Sequence, residues 1–187
     1  MRKKGKIFIL SGPSGSGKTT LYKKLLAKNP KLVKSISCTT RLKRPGEKHG
    51  RDYFFISQEM FLYKKKSGHF LESEKVFNNY YGTPKKYVLD LLRFGKNVLL
   101  CIDVEGAKVV CRKFPEAITV FVKTPSFEIL KKRLQKRGSE DPKTVALRLQ
   151  RAQKELREAK HYKHVIVNDR LNISLGKLNK IVQKEIS

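Results

Sequence analysis

Acidic residues are scarce in this chain. Its 187 residues carry 16 Asp and Glu against 43 Lys and Arg, a formal charge of +27. Such a field draws polyanions and raises the suspicion of nucleic acid. The basic residues run along the whole chain, however, with only short clusters at Lys64-Lys65-Lys66 and Lys131-Lys132-Arg133. No RNA- or DNA-reading motif accompanies them. Most read as a solvated surface and a minority as handlers of phosphate, so no specific nucleic-acid partner is expected. Cysteine is scarce too. Cys38, Cys101 and Cys111 are odd in number and form no C-x-x-C pair, which argues against a disulfide framework or a zinc site and for reduced thiols in the cytoplasm. The four histidines, His49, His69, His161 and His164, do not join them in a ligand set. Long apolar runs are missing. None approaches the ~18 residues of a membrane span, and the one near the basic N-terminus is shorter than the ~7–15 apolar residues of a signal peptide. The expectation is a soluble cytoplasmic protein without a membrane partner, monomeric or a small homo-oligomer.

What is present is alternation. An apolar strand at Lys6–Leu10 leads to a helix at Lys18–Lys28, ended by Asn29-Pro30. Lys31–Thr40 reads as extended, Arg41–Asp52 as a charged turn-rich stretch, and Tyr53–Ile56 as a short strand. Ser57 caps a helix over Gln58–Lys66, and Phe70–Phe77 alternates like a strand. Thr83-Pro84 supplies a capping hydroxyl and a first-turn proline for a helix reaching Phe94. Asn97–Val104 is continuously apolar, as in a buried parallel strand. A helix near Gly106–Phe114 and a strand at Ile118–Val122 follow. Ser126 caps a basic helix to Arg137, and Asp141-Pro142 opens another to about Lys160. His164–Val167 is the last strand and Leu171–Glu185 the closing helix. No internal repeat or low-complexity linker breaks the series. The fold class is α/β, a parallel sheet flanked by helices with its ligand at the carboxyl ends of the strands. One unit over about 4–186 is expected, its core at about 4–36, 91–125 and 163–187. Two polar inserts, about 37–90 and 126–162, read as lobes.

Between the first strand and helix stands Gly12-Pro13-Ser14-Gly15-Ser16-Gly17-Lys18-Thr19, a match to G-x-x-x-x-G-K-[ST]. Strand, glycine-rich turn and helix are the context a phosphate-binding loop requires. Glycines let backbone N–H groups turn inward around phosphate oxygens, and the helix N-terminus adds partial positive charge. Lys18 would reach the β- and γ-phosphates, and the Thr19 hydroxyl would take a place on Mg²⁺. The loop implies a nucleoside triphosphate.

Downstream comes Ser37-Cys38-Thr39-Thr40-Arg41-Leu42-Lys43-Arg44-Pro45-Gly46-Glu47, then Gly50-Arg51-Asp52-Tyr53-Phe54-Phe55. Phe70-Leu71-Glu72, Asn79-Tyr80-Tyr81-Gly82-Thr83, Asp103-Val104-Glu105-Gly106, Arg133 to Gly138 and Val165 to Asp169 continue the series. In these blocks the chain resembles guanylate kinases along essentially its whole length. The resemblance implies a kinase of the phosphate-loop class with an inserted GMP-binding lobe and a helical lid, ATP as phosphoryl donor, Mg²⁺, and GMP as acceptor. It assigns Arg41, Arg44, Tyr53 and Tyr81 to the GMP phosphate. Two arginines suit that work by their forked donors, and two tyrosines by their O–H groups. Glu72 resembles the family's base-reading acid, and Ser37 and Thr83 the hydroxyls completing the guanine pocket. An ionised carboxylate accepts both donors on guanine's edge, whereas adenine would face it with an acceptor.

Phosphoryl transfer needs positioning and charge neutralisation more than covalent chemistry, so the lack of a Ser-His-Asp set is no obstacle. Arg133 and Arg137 fall four apart on one helix face, and Arg148 on the next helix. The three resemble the family's lid arginines, with Gly138 as a hinge. Asn168 resembles a position near adenine. Where the family commonly reads D-I-D-x-Q-G, this chain has Cys101-Ile102-Asp103-Val104-Glu105-Gly106. Asp103 alone is then left to touch GMP and to organise Mg²⁺ through water, and Cys101 reads as a small buried hydrophobe. The alternatives are a non-catalytic relative that binds a phosphorylated peptide in the same Arg/Tyr pocket, or a kinase for another nucleoside monophosphate. The first typically loses the loop's lysine or glycines, which this chain keeps.

Overall fold

A computed structural model describes residues 4–135 and 142–186. Among these described residues nine strands and seven helices follow one another: β1 Ile7–Ser11, α1 Lys18–Lys28, β2 Leu32–Lys34, β3 Cys38–Thr39, β4 Phe54–Phe55, α2 Gln58–Lys66, β5 Phe70–Val76, β6 Asn79–Pro84, α3 Lys85–Arg93, β7 Asn97–Cys101, α4 Val104–Lys113, β8 Ile118–Lys123, α5 Phe127–Gln135, α6 Pro142–Arg157, β9 His164–Val167 and α7 Leu171–Ile186. A 3₁₀ turn, Glu158–His161, joins α6 to β9. Among the described residues no helix is long and apolar enough to cross a membrane.

Five strands form a parallel sheet in the order β2-β7-β1-β8-β9. β1 is central, and every one of its residues is buried. Period-two geometry explains why a strand can be apolar throughout: it buries both faces. Phe8 and Leu10 pack with Leu21 and Leu25 of α1 and with Leu175, Leu178 and Val182 of α7. Ile7 and Ile9 pack on the other face with Val88 and Leu92 of α3 and with Ala107 and Val110 of α4. Each fully buried leucine in such layers contributes about 1.5–3 kcal/mol. From β1 the chain crosses to β2 at one edge, returns to β7 beside β1, and then crosses to β8 on the other side, so the loop leaving β1 opens at the switch point where α/β sheets bind ligands.

A second sheet, in the order β4-β3-β6-β5, stands apart from the first. β5 and β6 pair antiparallel, with Glu72 opposite Thr83 and Glu74 opposite Tyr81, and a register shift between Phe70 and Glu72. Behind it Phe61 of α2 stacks on Phe70 at 4.5 Å and on Tyr80 at 5.3 Å. Ser57 caps α2 as its sequence implied, accepting from the Met60 N–H at 3.1 Å.

Two expectations need correction. Lys31–Thr40 is not one extended segment: β2 belongs to the parallel sheet and β3 to the second. Thr83-Pro84 does not open a helix by capping. Both residues end β6, α3 begins at Lys85, and its N-cap carries no side-chain hydrogen bond. The Thr83 hydroxyl is drawn away by a long-range partner, Glu72.

Candidate active site

The loop after β1 is glycine-rich because its surroundings leave no room. Gly12 has φ 135°, and a Cβ there would lie 2.1 Å from the Val122 carbonyl oxygen of β8. Gly17 has φ 91°, and a Cβ there would meet Asn168 Nδ2 at 2.3 Å. That amide donates to the Ser16 carbonyl at 2.8 Å, tying the loop to the end of β9. The Ser16 N–H donates to the Pro13 carbonyl at 3.2 Å, closing a turn. Lys18 opens α1 and folds its ammonium back over the loop, donating to the carbonyls of Gly12 and Pro13. Thr19 is exposed in the first helical turn, which holds no acidic residue. The positive end of the helix therefore faces the cleft undiminished.

The cleft measures about 670 Å³, and its wall includes Gly12, Ser14, Gly15, Gly17, Lys18 and Thr19. Pro13 and Ser16 are buried behind it. On the opposite wall stand Ser37, Arg41, Arg44, Tyr53, Glu72, Tyr81 and Asp103. The phosphate loop and the proposed acceptor residues thus share one cavity, except for Thr83, which is fully buried off the wall and reaches it only through Glu72. A neighbouring space of about 400 Å³ joins Gly15 and Gly17 to Arg133 and Asn168. There Arg133 Nη2 donates to the Asn168 carbonyl at 3.1 Å.

Arg41 is held by its protein neighbours. Its Nη2 donates to both Glu47 oxygens at 2.9 and 3.0 Å, and its guanidinium lies 5.5 Å over the Tyr53 ring and 5.8 Å over Phe55. Glu47 also accepts from the Arg44 N–H at 2.9 Å. One carboxylate therefore shapes the turn that carries both arginines. Tyr53 and Tyr81 meet edge to face at 6.1 Å. Asp52 accepts from the Lys48 N–H, Lys23 Nζ and Arg51 Nε at 2.9–3.0 Å. These bonds hold its carboxyl well below the usual range. Glu47 and Asp52 were quoted within the sequence pattern but given no task there. The signal was present, and what was missing was the sight of each acid gripping its basic neighbours.

Glu72 is buried on β5 and accepts from the Thr83 hydroxyl at 2.5 Å. Burial pushes its carboxyl up to about 7, and the charge of Asp103 adds to the push against the Thr83 hydrogen bond. Asp103 is the N-cap of α4, its Oδ1 accepting from the Gly106 N–H at 2.8 Å. A Cβ at Gly106 would lie 2.7 Å from Glu72 Oε2 and 3.1 Å from Asp103 Oδ1. Only a hydrogen at that position lets the two carboxylates converge. Cys101, at the end of β7, is half-buried in the cleft wall, and desolvation raises its thiol.

Arg148 on α6 also lines the cleft, its guanidinium 5.2 Å over the Phe77 ring at the β5–β6 turn. Arg137 and Gly138 lie outside the described residues. Two residues on α6 that sequence reasoning missed stand beside Arg148. Arg151 Nη2 donates to Asp103 Oδ2 at 2.9 Å, and its Nε to Glu155 Oε1 at 2.8 Å. Nothing in the sequence separates Arg151 from the other basic residues of that helix.

A parallel sheet with a glycine-rich loop at its switch point, facing an Arg/Tyr cluster across one cleft, defines a phosphate-loop nucleotide kinase. The guanylate kinase family model matches residues 4–185. A curated guanylate kinase of Symbiobacterium thermophilum is 45% identical over 182 residues, covering 97% of this chain and 86% of that one. One from Wolbachia pipientis wMel is 43% identical over 189 residues, covering 99% and 92%. The crystal structure of guanylate kinase from Anaplasma phagocytophilum superposes with a TM-score of 0.82 at 33% identity, covering 99% of this chain and 88% of that one. The chain belongs to the guanylate kinase family.

Proposed function

We propose that the chain carries out its family's reaction, transfer of the ATP γ-phosphoryl group to the phosphate of GMP, giving ADP and GDP. The observation that carries this reading is the buried Glu72, held by the Thr83 hydroxyl, on the wall of the same cleft as Lys18. Guanine presents N1–H and its 2-amino group on one edge. An ionised Glu72 accepts from both, with Ser37, Thr83 and Asp103 completing the pocket. Adenine presents an acceptor at N1, and an unmet buried group of this kind discriminates by up to ~10⁴-fold. Arg41, Arg44, Tyr53 and Tyr81 hold the GMP phosphate, the first on a guanidinium already oriented by Glu47.

The nucleophile is a phosphate oxygen of GMP, anionic near neutral pH, so no general base is required. Gly12 to Thr19 cradle the triphosphate of ATP, Asn168 borders the adenine side, and Lys18 leaves its loop carbonyls for the β- and γ-phosphates. Arg133, Arg137 and Arg148 neutralise charge as residues 126–162 close as a lid over the core at about 4–36, 91–125 and 163–187. Residues 37–90 serve as the GMP-binding lobe. Among the described residues no cluster of three or more His, Cys, Asp or Glu side chains is arranged to hold a metal alone. The oxygen donors of Thr19, and of Asp103 through water, suit Mg²⁺ arriving with the triphosphate. When bound, the ion neutralises charge on the transferred group. The three free thiols suit a reducing cytoplasm, and a monomer or small homo-oligomer suffices for the site.

ADP release with ATP-Mg²⁺ and GMP, AMP, dGMP, UMP or TMP tests the reading. Turnover with GMP is expected. Turnover with AMP but not GMP would sink the base assignment, and GMP binding without turnover on any acceptor would point to the phosphopeptide-binding alternative. Lys18→Ala is expected to abolish turnover while GMP affinity, measured by calorimetry, changes little. Equal loss of both would mean that Lys18 shapes the whole cleft.

A further inference from the structure

Both carboxylate oxygens of Asp103 accept hydrogen bonds from the protein itself. Oδ1 accepts from the Gly106 N–H at 2.8 Å and Oδ2 from Arg151 at 2.9 Å. Arg151 is itself held from the other side, its Nε on Glu155 at 2.8 Å. Glu74 and Lys18 contribute charge to the same group of residues. All of these except Gly106 line the cleft. The Arg151–Asp103 bond spans 48 residues of sequence and joins α6 to the first turn of α4.

We infer that Arg151 is a positioning residue for base recognition: it fixes the Asp103 carboxylate at the guanine edge and so links α6 to the choice of acceptor. The inference rests on the assignment of Asp103 to GMP made above. A carboxylate offers about four acceptor positions on its two oxygens. Gly106 and Arg151 take one on each oxygen, which sets the plane of the group and leaves one on each oxygen for a ligand donor. Without Arg151 the group is held at one oxygen only and rotates. It also loses a neighbouring cation while the repulsion between it and Glu72 remains. The pair is partly buried, its side chains 27% and 22% exposed, and an ion pair that keeps access to solvent adds little to stability, so its location in the cleft wall matters more than its strength. Lysine could reach one acid but not bridge two in a fixed plane, since its charge sits on a single nitrogen.

Inosine monophosphate keeps guanine's N1–H and lacks the 2-amino group, so the ratio of kcat/KM for GMP to that for inosine monophosphate reads this edge of the base. Calorimetric titration of both ligands gives the same ratio without catalysis. Arg151→Ala is expected to lower the ratio about tenfold, the loss of one good hydrogen bond, mainly through KM for GMP. Arg151→Lys should recover part of it. Asp103→Asn keeps an N-capping side chain and should lower the ratio as well, and adding Arg151→Ala to it should cause no further loss. A ratio unchanged in Arg151→Ala but lowered in Asp103→Asn would overturn the inference and spare the base assignment. So would equal losses on both acceptors with a lower melting temperature, which is what a purely structural pair produces. Fully additive losses in the double variant would do the same. A ratio unchanged in Asp103→Asn would overturn the assignment of Asp103, and the inference with it.

Discussion

Glu72 must be charged to accept from guanine, yet it lies in a place that favours its neutral form. Its carboxyl is raised to about 7 by burial and by Asp103, with Glu74 a further acid nearby and the Thr83 hydroxyl opposing them. The folded protein therefore holds this proton more tightly than the unfolded chain does. Folding gains from it below the ordinary carboxylate range and loses that gain as pH rises to about 7. Ligand binding has the opposite sense, because only the ionised form accepts from N1–H and the amino group. The kcat/KM for GMP should thus fall about tenfold per pH unit below about 7. The GMP phosphate titrates near 6 as well, so the comparison that matters is with Glu72→Gln. That variant should be slower and should lose the limb near 7, and superimposable profiles would show that Glu72 does not titrate in binding. Much of the site at this scale was legible in the sequence, because Lys18, Arg41, Arg44, Tyr53, Glu72 and Tyr81 stand in dense motifs. Glu47, Asp52 and Arg151 were not legible in the same way. Each works by holding another side chain, and that relation exists only in three dimensions.

Among the elements, the hairpin β5–β6 shows where local pattern fails. Asn79–Pro84 contains Asn, Gly and Pro, all poor strand formers, and its Thr-Pro end imitates a helix start. Pairing with β5, Glu72 opposite Thr83 and Lys75 opposite Tyr80, overrides both signals. The helices α2 and α7 and the strand β9, by contrast, fall close to where caps and apolar spacing put them, since their stabilising contacts follow from their own periodicity. The turn between β5 and β6 holds Phe77 at φ 54°, the one described non-glycine residue in the left-handed region. A bulky residue there carries strain of roughly 1–2 kcal/mol. Its ring lies beneath Arg148 of α6, so contact with the proposed lid is what sets against that strain. Phe77→Ala and Phe77→Gly both delete the ring and differ only in the backbone. Glycine is expected to be the more stable by about 1 kcal/mol in urea denaturation, the reverse of its usual rank in regular structure. The usual rank would mean that the turn stores no strain. Both variants should also turn over more slowly if Phe77 helps to seat Arg148.

For the whole molecule, composition and topology each left something open that the fold resolves. Alternation implied a parallel sheet, but the order β2-β7-β1-β8-β9 depends on which strands pair, and no local signal carries it. The charge of +27 suggested a polyanion partner without saying where the charge acts. Among the described residues, the cleft wall holds six of the chain's 16 acids, namely Glu47, Asp52, Glu72, Glu74, Asp103 and Glu155. It holds only seven of the 43 basic residues, Lys18, Lys23, Lys34, Arg41, Arg44, Arg148 and Arg151. The cleft is thus nearly balanced, and the excess positive charge lies elsewhere on the molecule. Contacts within the cleft are short and partly desolvated, so salt screens them weakly. The outer field acts over distances longer than the ~8 Å Debye length of physiological salt and is screened strongly. Nucleotide encounter should therefore depend on ionic strength far more than the chemical step does. Between roughly 20 and 300 mM KCl, kcat/KM for GMP is expected to fall severalfold while kcat changes little. Varying viscosity at low salt would separate encounter from later steps, since only an encounter-limited kcat/KM responds to it. If kcat fell with salt in parallel, the basic residues that matter would be those inside the cleft, and the outer charge would have no part in bringing GMP to Glu72.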